Sequence, residues 1–542
     1  MSHPWFVKEQ DRCNYGLRWQ QVIATNQAPN VVLGPHNFHY PPEKNVFAVQ
    51  GQQDQQYIQD FEINIRSSLK DFLFSELSDC TWTLNVLRLG FKDNRSDNPI
   101  VIHLCIQTPD YFLGVGNNRD VENDRDIEDN RDIENIRNNA IKVLEGMDKI
   151  ISEKKKTSEK YFIDICQIEN STLRRSKSVQ KNGVDLKNNF HSLYTSYTPS
   201  PGISIGRTEL DVAGSLTGFL CQNNDTYALT CRHVALPGED FRSRYKFRDE
   251  GQKWQISMPA IKDHKVTKGE MKDDLDIITA EIANDLSEQA KNPHRDYALQ
   301  NQTKKQEQNV YAFKYDKALH YRTDAGHVYA APEEWRKFPY YNGVLDWAII
   351  HNHCADHNNT LPRANFLRKA EISKLIKRKR EDDWSSSQYE AFIAKCQKLE
   401  KSTRFDIKSP SSSSALSTNR IYFKAPDRTL GWMACEMNGI RNIHHRNGHG
   451  VSEECVFVGE DHGGAIYGGG DSGALIYDID VDTTNAEEPT AALMPVAMIW
   501  AGNNHGTIVS GFKDVTYATP IGAVLKDIEC EMGWDEGSLK FC

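Results

Sequence analysis

A serine in a glycine-rich turn stands directly before an apolar, strand-like stretch of the sequence. The stretch is YGGGDSGALIYD, residues 467–478, and it contains Gly470, Ser472 and Gly473. Glycines here allow backbone N–H groups to approach a reacting atom without a side chain in the way, as an oxyanion hole requires. We therefore predict that Ser472 is a nucleophile and that the N–H groups of Gly470 and Ser472 bind the oxyanion.

A serine hydroxyl is a weak nucleophile at neutral pH, so this hypothesis requires a histidine base and a carboxylate that orients it. His233 follows the strand-like segment YALT, and Asp346 leads another strand in NGVLDWAII. Asp276 is the competing carboxylate, 43 positions after His233 (276 − 233). We favour Asp346, because apolar residues after Asp276 recur at helical spacing through Leu286 and predict a helix with Asp276 in its first turn.

The order His233, Asp346, Ser472 resembles that of the trypsin/chymotrypsin-like serine proteases, with LTCRHV around the histidine and GDSGA around the serine. The sequence is most similar to divergent intracellular members of that family in fungi. The resemblance implies a double barrel of six-stranded antiparallel sheets with the three side chains in the cleft between them. It implies a serine endopeptidase acting through an acyl-enzyme. The alternative is a catalytically inactive relative that acts as a regulatory or protein-binding module, because a fold can persist without its chemistry.

The resemblance also gives an expectation for the substrate pocket. By family position Ile466 lies at the pocket floor, and Trp500, Ala501 and Gly502 lie along one wall. None of these residues carries a charge. We therefore predict a preference for an uncharged side chain before the scissile bond, because an isolated buried Lys or Arg would be costly there.

Two histidine clusters have the chemistry of metal ligands. They are His351, His353, Cys354 and His357, and His444, His445 and His449. Neither cluster contains a Cys-x-x-Cys pair or the His-Glu-x-x-His spacing of zinc motifs. We therefore interpret them as loop histidines and expect neither a metal site nor a cofactor.

The 542 residues are enough for about three domains. Residues 1–56 are rich in Asn, Gln and Pro without periodicity, which predicts an irregular arm. Residues 57–169 contain two helical stripes and three strand-like runs, which predicts an α+β module of unknown role. Residues 170–202 are polar and basic, as is typical of a linker.

Residues 203–542 are identified as the protease-like domain, with insertions at about 239–325 and 353–419 that include helical patterns. The expected fold class is therefore a multidomain α+β protein. Its C-terminal part is an all-β chymotrypsin-like double β-barrel with helical insertions, preceded by the small α+β module.

The net charge of −10 and the pI near 6.0 argue against a protein that coats nucleic acid or an anionic membrane. The first residues lack the apolar core of a signal peptide, and no apolar run is long enough to span a bilayer. Twelve cysteines scattered along the chain suit reduced thiols. We therefore expect a cytoplasmic rather than secreted protein, or a nuclear one if Lys377–Arg380 is a targeting signal. The expected partners are a protein or peptide substrate and a protein that binds the 57–169 module.

Overall fold

The computed structural model describes most of the chain. The described residues are 5–7, 20–28, 44–107, 125–158, 160–168, 194, 198–236, 243–246, 253–291, 298–338, 341–353, 359–362, 386–387, 390, 392–394, 404–407, 416–418, 420–425, 432–460, 466–468, 470–481, 491–502 and 515–542. Most of the predicted linker, most of the 353–419 insertion, and Cys354, His357 and Lys377–Arg380 lie outside them.

The N-terminal part of the chain forms a mixed sheet covered by helices. Its strands are β1 (Trp5–Phe6), β2 (Gln20–Thr25), β3 (Asn45–Phe47), β4 (Thr81–Gly90), β5 (Ile100–Gln107) and β6 (Phe162–Ile168). Its helices are α1 (Gln55–Asp60), which continues through a π-helical segment (Phe61–Ile65) into α2 (Arg66–Glu76), and α3 (Arg125–Lys154). β5 and β6 are parallel, and a parallel pair needs a long crossover such as α3. Apolar side chains at helical spacing, among them Phe61, Ile65 and Leu69, are fully buried in the core of this part.

Residues 1–56 are not wholly irregular, so that prediction is wrong at three strands. β1 pairs with β2, β2 pairs with β6, and β3 pairs with β4. These strands are only two to six residues long. Segments this short offer too little alternation to stand out among polar neighbours.

The next part of the chain curls into a half-barrel. Its strands are β7 (Ser204–Arg207), β8 (Gly214–Ser215), β9 (Gly218–Gln222), β10 (Asp225–Thr230), β11 (Tyr245–Lys246), β12 (Gln255–Ser257), β13 (Asp324–Ala331), β14 (Lys337–Phe338), β15 (Tyr341–Val344) and β16 (Ala348–Asn352). Its helices are α4 (Arg232–Ala235), α5 (Ile261–Lys291) and α6 (Ala298–His320). The main sheet has the order β9-β10-β16-β13-β12-β7-β8. The segment 214–222 spans its two ends, because β8 pairs with β7 and β9 pairs with β10.

The C-terminal part contains a closed barrel. Its strands are β17 (Thr360–Pro362), β18 (Arg404–Ile407), β19 (Ile421–Lys424), β20 (Met433–Met437), β21 (Asn442–Arg446), β22 (Gly450–Gly459), β23 (Leu475–Val481), β24 (Ala491–Gly502), β25 (Val515–Pro520) and β26 (Lys540–Phe541), and helix α7 (Ile521–Met532) lies between the last two. Six strands close on themselves in the order β19-β20-β22-β25-β24-β23, with every neighbouring pair antiparallel. A closed barrel and a half-barrel are consistent with a chymotrypsin-like double barrel.

The N-terminal sheet is continuous with the closed barrel. β4 pairs with β21, which in turn pairs with β22. The buried Asn438 side chain reinforces the junction, because its Oδ1 accepts from the backbone N–H of Val49 at 2.6 Å and its Nδ2 donates to the Val86 carbonyl at 3.0 Å. The 57–169 segment is therefore hydrogen-bonded to the barrel rather than joined to it only by the chain.

Helix α5 begins earlier than the sequence pattern predicts. It starts at Ile261, so Asp276 lies in its middle and not in its first turn. There Asp276 is exposed and forms a surface ion pair with Lys272 at 3.3 Å. The charged residues between Ile261 and Asp276 obscured the helical period in the first half of the helix.

Cys221 and Cys542 form a disulfide that fastens β26 to β9. The expectation that all cysteines are reduced thiols is therefore wrong for this pair. The two residues are 321 positions apart in the sequence, and such a pairing cannot be deduced from sequence alone. The cytoplasmic location remains a prediction of the sequence.

None of the described helices combines the length and the apolar character needed to cross a bilayer.

Candidate active site

His233 and Asp346 lie together at the edge of the half-barrel. His233 sits on the short helix α4 directly after β10, and Asp346 lies in the connection between β15 and β16. One carboxylate oxygen of Asp346 contacts Nδ1 of His233, and the other accepts from the backbone N–H of His233 at 3.1 Å. The carboxylate is almost fully buried, whereas the imidazole keeps 14% of its surface exposed. The histidine is thus held by its Nδ1 edge, as a general base acting through Nε2 requires.

The turn that carries Ser472 is fastened to the half-barrel through β8. The backbone N–H of Ser215 donates to the Ser472 carbonyl at 2.8 Å, and its hydroxyl donates to the Gly470 carbonyl at 3.2 Å. The hydroxyl of Thr217 donates to the Gly473 carbonyl at 2.7 Å. These bonds join the two barrels at Ser472.

Two further contacts connect the histidine side of the site with the serine side. A Cβ at Gly214 would clash with both the Val234 side chain and the Ser472 carbonyl, so only glycine allows these two neighbours to approach. Cys231 Sγ lies close to the ligand atoms of His233 and Asp346 and also contacts the Ile499 carbonyl at 3.3 Å. The same carbonyl accepts from Gly473 N–H at 2.8 Å.

The backbone of the serine turn has the pattern that an oxyanion hole requires. The N–H groups of Asp471 and Gly473 are used within the protein, by the carbonyls of Gly468 and Ile499. Among the described residues, no acceptor binds the N–H groups of Gly470 and Ser472. Gly470 and Gly473 have φ values of 110° and 100°, a region that glycine adopts readily and other residues avoid. Within the described residues the turn therefore has two backbone donors without an acceptor, at positions 470 and 472.

The Ser472 hydroxyl forms its hydrogen bonds elsewhere than at His233. It lies 3.4 Å from the Trp500 carbonyl and 3.5 Å from the Tyr467 hydroxyl, and these are its partners among the described residues. Nucleophilic attack would require rotation of the serine side chain toward the imidazole. Catalytic hydrogen bonds in free enzymes are often long or misaligned, so this geometry is compatible with catalysis.

The residues predicted to line the substrate pocket are all buried, and a tyrosine ring occupies the space beside them. Ile466, Trp500 and Ala501 expose 2% of their surface or less. The ring of Tyr467 packs on Gly502, where a Cβ would come within 2.6 Å of it. Tyr467 thus contacts both Gly502 of the predicted pocket wall and the Ser472 hydroxyl, a role that its residue pattern did not indicate.

Asp471, the residue before the serine, has a buried cationic partner. Lys424 Nζ on β19 lies 3.0 Å from its carboxylate, and both side chains are completely buried. The same carboxylate accepts from the backbone N–H of Gly468 at 2.6 Å. Asp471 therefore stabilises the serine turn through contacts within the full-length chain, without a chain terminus produced by cleavage.

Glu454 is a buried carboxylic acid close to both sides of the site. Its Oε1 accepts from the backbone N–H of Val344, two residues before Asp346, at 2.9 Å. Burial raises the pKa of Glu454 to about 7, although this hydrogen bond partly opposes the shift. The charged form is therefore disfavoured in the folded protein up to near neutral pH.

Glu454→Gln is expected to change how stability depends on pH. The folded-state pKa of Glu454 is raised above the ordinary value of 4.5. Glu454 therefore contributes its full share to the free energy of unfolding below pH 4.5, and this contribution is lost as the pH rises through 7. Relative to the non-titrating variant, the wild type should lose about 3 kcal/mol of unfolding free energy across this window. Urea unfolding at several pH values measures the difference, with the exposed Glu536→Gln as control. Parallel profiles of the wild type and Glu454→Gln would contradict the expectation.

The two sequence clusters of histidine have different surroundings. His444 Nδ1 lies 2.8 Å from the Thr83 hydroxyl and His445 Nδ1 lies 2.7 Å from the Cys80 carbonyl, so both are packed and bonded in the sheet rather than in loops. His351 and His353 are instead joined by His327 from the neighbouring strand. Burial lowers the pKa of His327, and the nearby His353 and His351 lower it further.

Comparisons with known proteins give structural neighbours but no family. No family model matches the chain. No curated protein matches it. Among solved structures, a glutamic acid-specific serine protease is 10% identical, covering 64% of this chain and 100% of its own, with a TM-score of 0.28. Protease A of Thermobifida fusca is 9% identical, covering 61% of this chain and 96% of its own, with a TM-score of 0.27.

The first neighbour is described as a serine protease and the second as a protease, and neither supports the resemblance to intracellular fungal members in particular. TM-scores this low carry no argument about activity.

Proposed function

We propose that this chain is a serine endopeptidase. The observation that supports it best is the double contact between Asp346 and His233, since one carboxylate both fixes the imidazole edge and anchors its backbone. A surface histidine needs no such support. The proposed substrate is a protein or peptide, and no cofactor takes part in the proposed chemistry.

In the proposed mechanism His233 Nε2 removes the hydroxyl proton of Ser472 as Oγ attacks the peptide carbonyl carbon. The N–H groups of Gly470 and Ser472 stabilise the resulting oxyanion, and Asp346 stabilises the imidazolium. Collapse breaks the C–N bond, and the same proton passes from Nε2 to the leaving amine. Water, deprotonated by His233, then cleaves the acyl-enzyme and restores the Ser472 hydroxyl.

A catalytically inactive protease fold is the second candidate. One observation favours it, namely that the Ser472 hydroxyl contacts the Trp500 carbonyl and Tyr467 rather than His233. In that case the buried Tyr467 would block the pocket permanently. The N-terminal sheet would then be the part that binds a protein partner.

Labelling with a fluorophosphonate probe separates the two candidates. We expect the uncut, full-length protein to be modified at one hydroxyl, that of Ser472, as mapped by mass spectrometry of the labelled peptide. Ser472→Ala is the control and should fold normally without being labelled. A well-folded wild type that is never labelled, or labelling that persists in Ser472→Ala, would contradict the proposal.

Tyr467→Ala is expected to enlarge the substrate pocket. Removal of the ring that packs on Gly502 should raise kcat/KM for substrates with large apolar side chains before the scissile bond, relative to small ones, by about 10- to 100-fold. Tyr467→Phe keeps the ring and should keep the original preference. Cleavage of peptide libraries measures the ratio. An unchanged preference in Tyr467→Ala, or a preference for Lys or Arg in the wild type, would show that the pocket lies elsewhere.

A further inference from the structure

Three histidines converge on the half-barrel away from the candidate active site. His327 on β13 lies directly opposite His351 on the antiparallel strand β16, and His353 follows two residues later. Side chains that are opposite each other on paired strands, or two residues apart on one strand, share a face of the sheet. The neighbouring Val328 and Ile350 point into the core and are fully buried, so the histidines occupy the outer face.

The three imidazole rings form a nearly equilateral triangle. Their centroids are 5.4, 5.6 and 5.7 Å apart, and one nitrogen from each ring lies within 4.8 Å of the other two. Three imidazole nitrogens this close together can be brought onto a single ion by small rotations of the rings.

One nitrogen of the cluster lacks a hydrogen-bond partner in the part of the chain that the structure describes. Nδ1 of His351 is buried and has no hydrogen-bond partner among the described residues. Such a buried polar atom requires a partner that the described side chains do not supply. On one side the rings of Tyr227 and Tyr329 lie 6.0 and 6.2 Å from that of His351, which limits the access of water. On the other side His353 is 41% exposed, with the Asp324 carboxylate 3.8 Å from its Nδ1.

We propose that His327, His351 and His353 bind a divalent transition-metal ion, with Zn²⁺ as the prototype. Imidazole nitrogens suit zinc, copper and nickel, whereas magnesium and calcium prefer oxygen ligands. Three protein ligands leave a fourth position for water, and the exposed edge of the cluster at His353 provides room for it.

Only a small movement of the histidine rings is needed to bring their nitrogens to metal-bonding distance. Zinc bonded tetrahedrally to nitrogens at about 2.0–2.1 Å places those nitrogens about 3.3 Å apart, whereas the three histidine nitrogens lie within 4.8 Å of one another. The half-exposed His353 has the freedom to rotate inward. Asp324 is positioned to accept from the remaining N–H of His353, as outer carboxylates commonly do for zinc-bound histidines.

The ion would fasten β13 to β16. Strand β16 begins two residues after Asp346 (348 − 346), so the metal would stiffen the strand that directly follows the orienting carboxylate. Because the ion would bind the folded chain, it should raise the thermal midpoint in a concentration-dependent manner. The ion would therefore act on the stability of the half-barrel and would take no part in the proposed chemistry at Ser472.

Zinc titration of the full-length protein, followed by calorimetry and thermal unfolding, tests the proposal. Cys231, His233 and Asp346 form a second group of possible ligands, so the titration is made in a His233→Ala background. We expect one saturable site, and His353→Asn should weaken it at least about 100-fold, since loss of even an outer supporting group typically costs 10- to 100-fold. The exposed His320→Asn is the matched control and should bind zinc like the background protein.

Cobalt substitution identifies the ligands. Co²⁺ bound by the three histidines should give visible bands without the charge-transfer absorption of a thiolate ligand. Absence of saturable binding would overturn the proposal. So would equal affinity in His353→Asn, or thiolate absorption that persists in that variant, because the ion would then be bound by cysteines.

Discussion

Asp346→Asn is expected to lower peptide turnover by about 10⁴-fold without unfolding the protein. The carboxylate accepts from His233 at two points, and the Asn carbonyl can keep the bond to the backbone N–H. The Asn amide, however, donates a hydrogen where the imidazole Nδ1–H now donates. The imidazole must therefore place its proton on Nε2, where it can no longer accept the Ser472 proton.

Asp276→Asn is the matched control for this experiment. Asp276 lies on the exposed face of α5, and its ion pair with Lys272 is of the surface kind that contributes about 0–1 kcal/mol. Turnover and stability should both stay near the wild-type values. Near wild-type turnover in Asp346→Asn together with a large loss in Asp276→Asn would show that the orienting carboxylate has been misassigned.

The sequence predicted the strands next to His233 and Ser472 well, because a strand is indicated by the residues of its own segment. β10 ends at Thr230, three residues before His233, and β23 begins at Leu475, three residues after Ser472. Alternating apolar residues identify such strands within a few positions. Local pattern has limits even here, since the pair Asn342 and Gly343, which is typical of a turn, lies within β15.

Contacts between residues that lie far apart along the chain could not be predicted from the sequence. Lys424 reaches Asp471 from 47 positions away, and His327 meets His351 through the pairing of β13 with β16. Neither Lys424 nor His327 lies in a recognisable motif. Their role depends on strand order and register, which the spacing of residues in a single sequence does not determine. The same holds for Tyr467, whose importance follows from its packing on Gly502.

Lys424→Met is expected to destabilise the protein by about 3–5 kcal/mol and to abolish labelling of Ser472. The variant leaves the Asp471 carboxylate buried beside an apolar side chain, and a buried charge without its ionic partner is costly. Asp471 also accepts from Gly468 N–H, so its displacement would open the turn that orients the N–H groups of Gly470 and Ser472. Urea unfolding and fluorophosphonate labelling measure the two effects.

Two further variants separate the role of the ion pair from that of general stability. Lys526→Met removes a surface pair with Glu536 and should change stability by less than about 1 kcal/mol, with labelling intact. Lys424→Met combined with Asp471→Asn removes both charges and should recover part of the stability, because a neutral buried pair avoids the desolvation cost. Labelling should stay low in the double variant, since the turn has lost its ionic anchor.

The Lys424 contact also bears on activation. In trypsin-like activation a newly cut amino terminus pairs with the aspartate before the serine, yet Asp471 already has a buried cation in the uncut chain. Ile203 N–H, at the position where that terminus would form, donates instead to the Ser200 carbonyl at 3.3 Å. We therefore expect the full-length protein to be labelled without processing. Labelling that begins only after cleavage near Gly202, or that survives Lys424→Met unchanged, would mean that Lys424 does not replace the cut terminus.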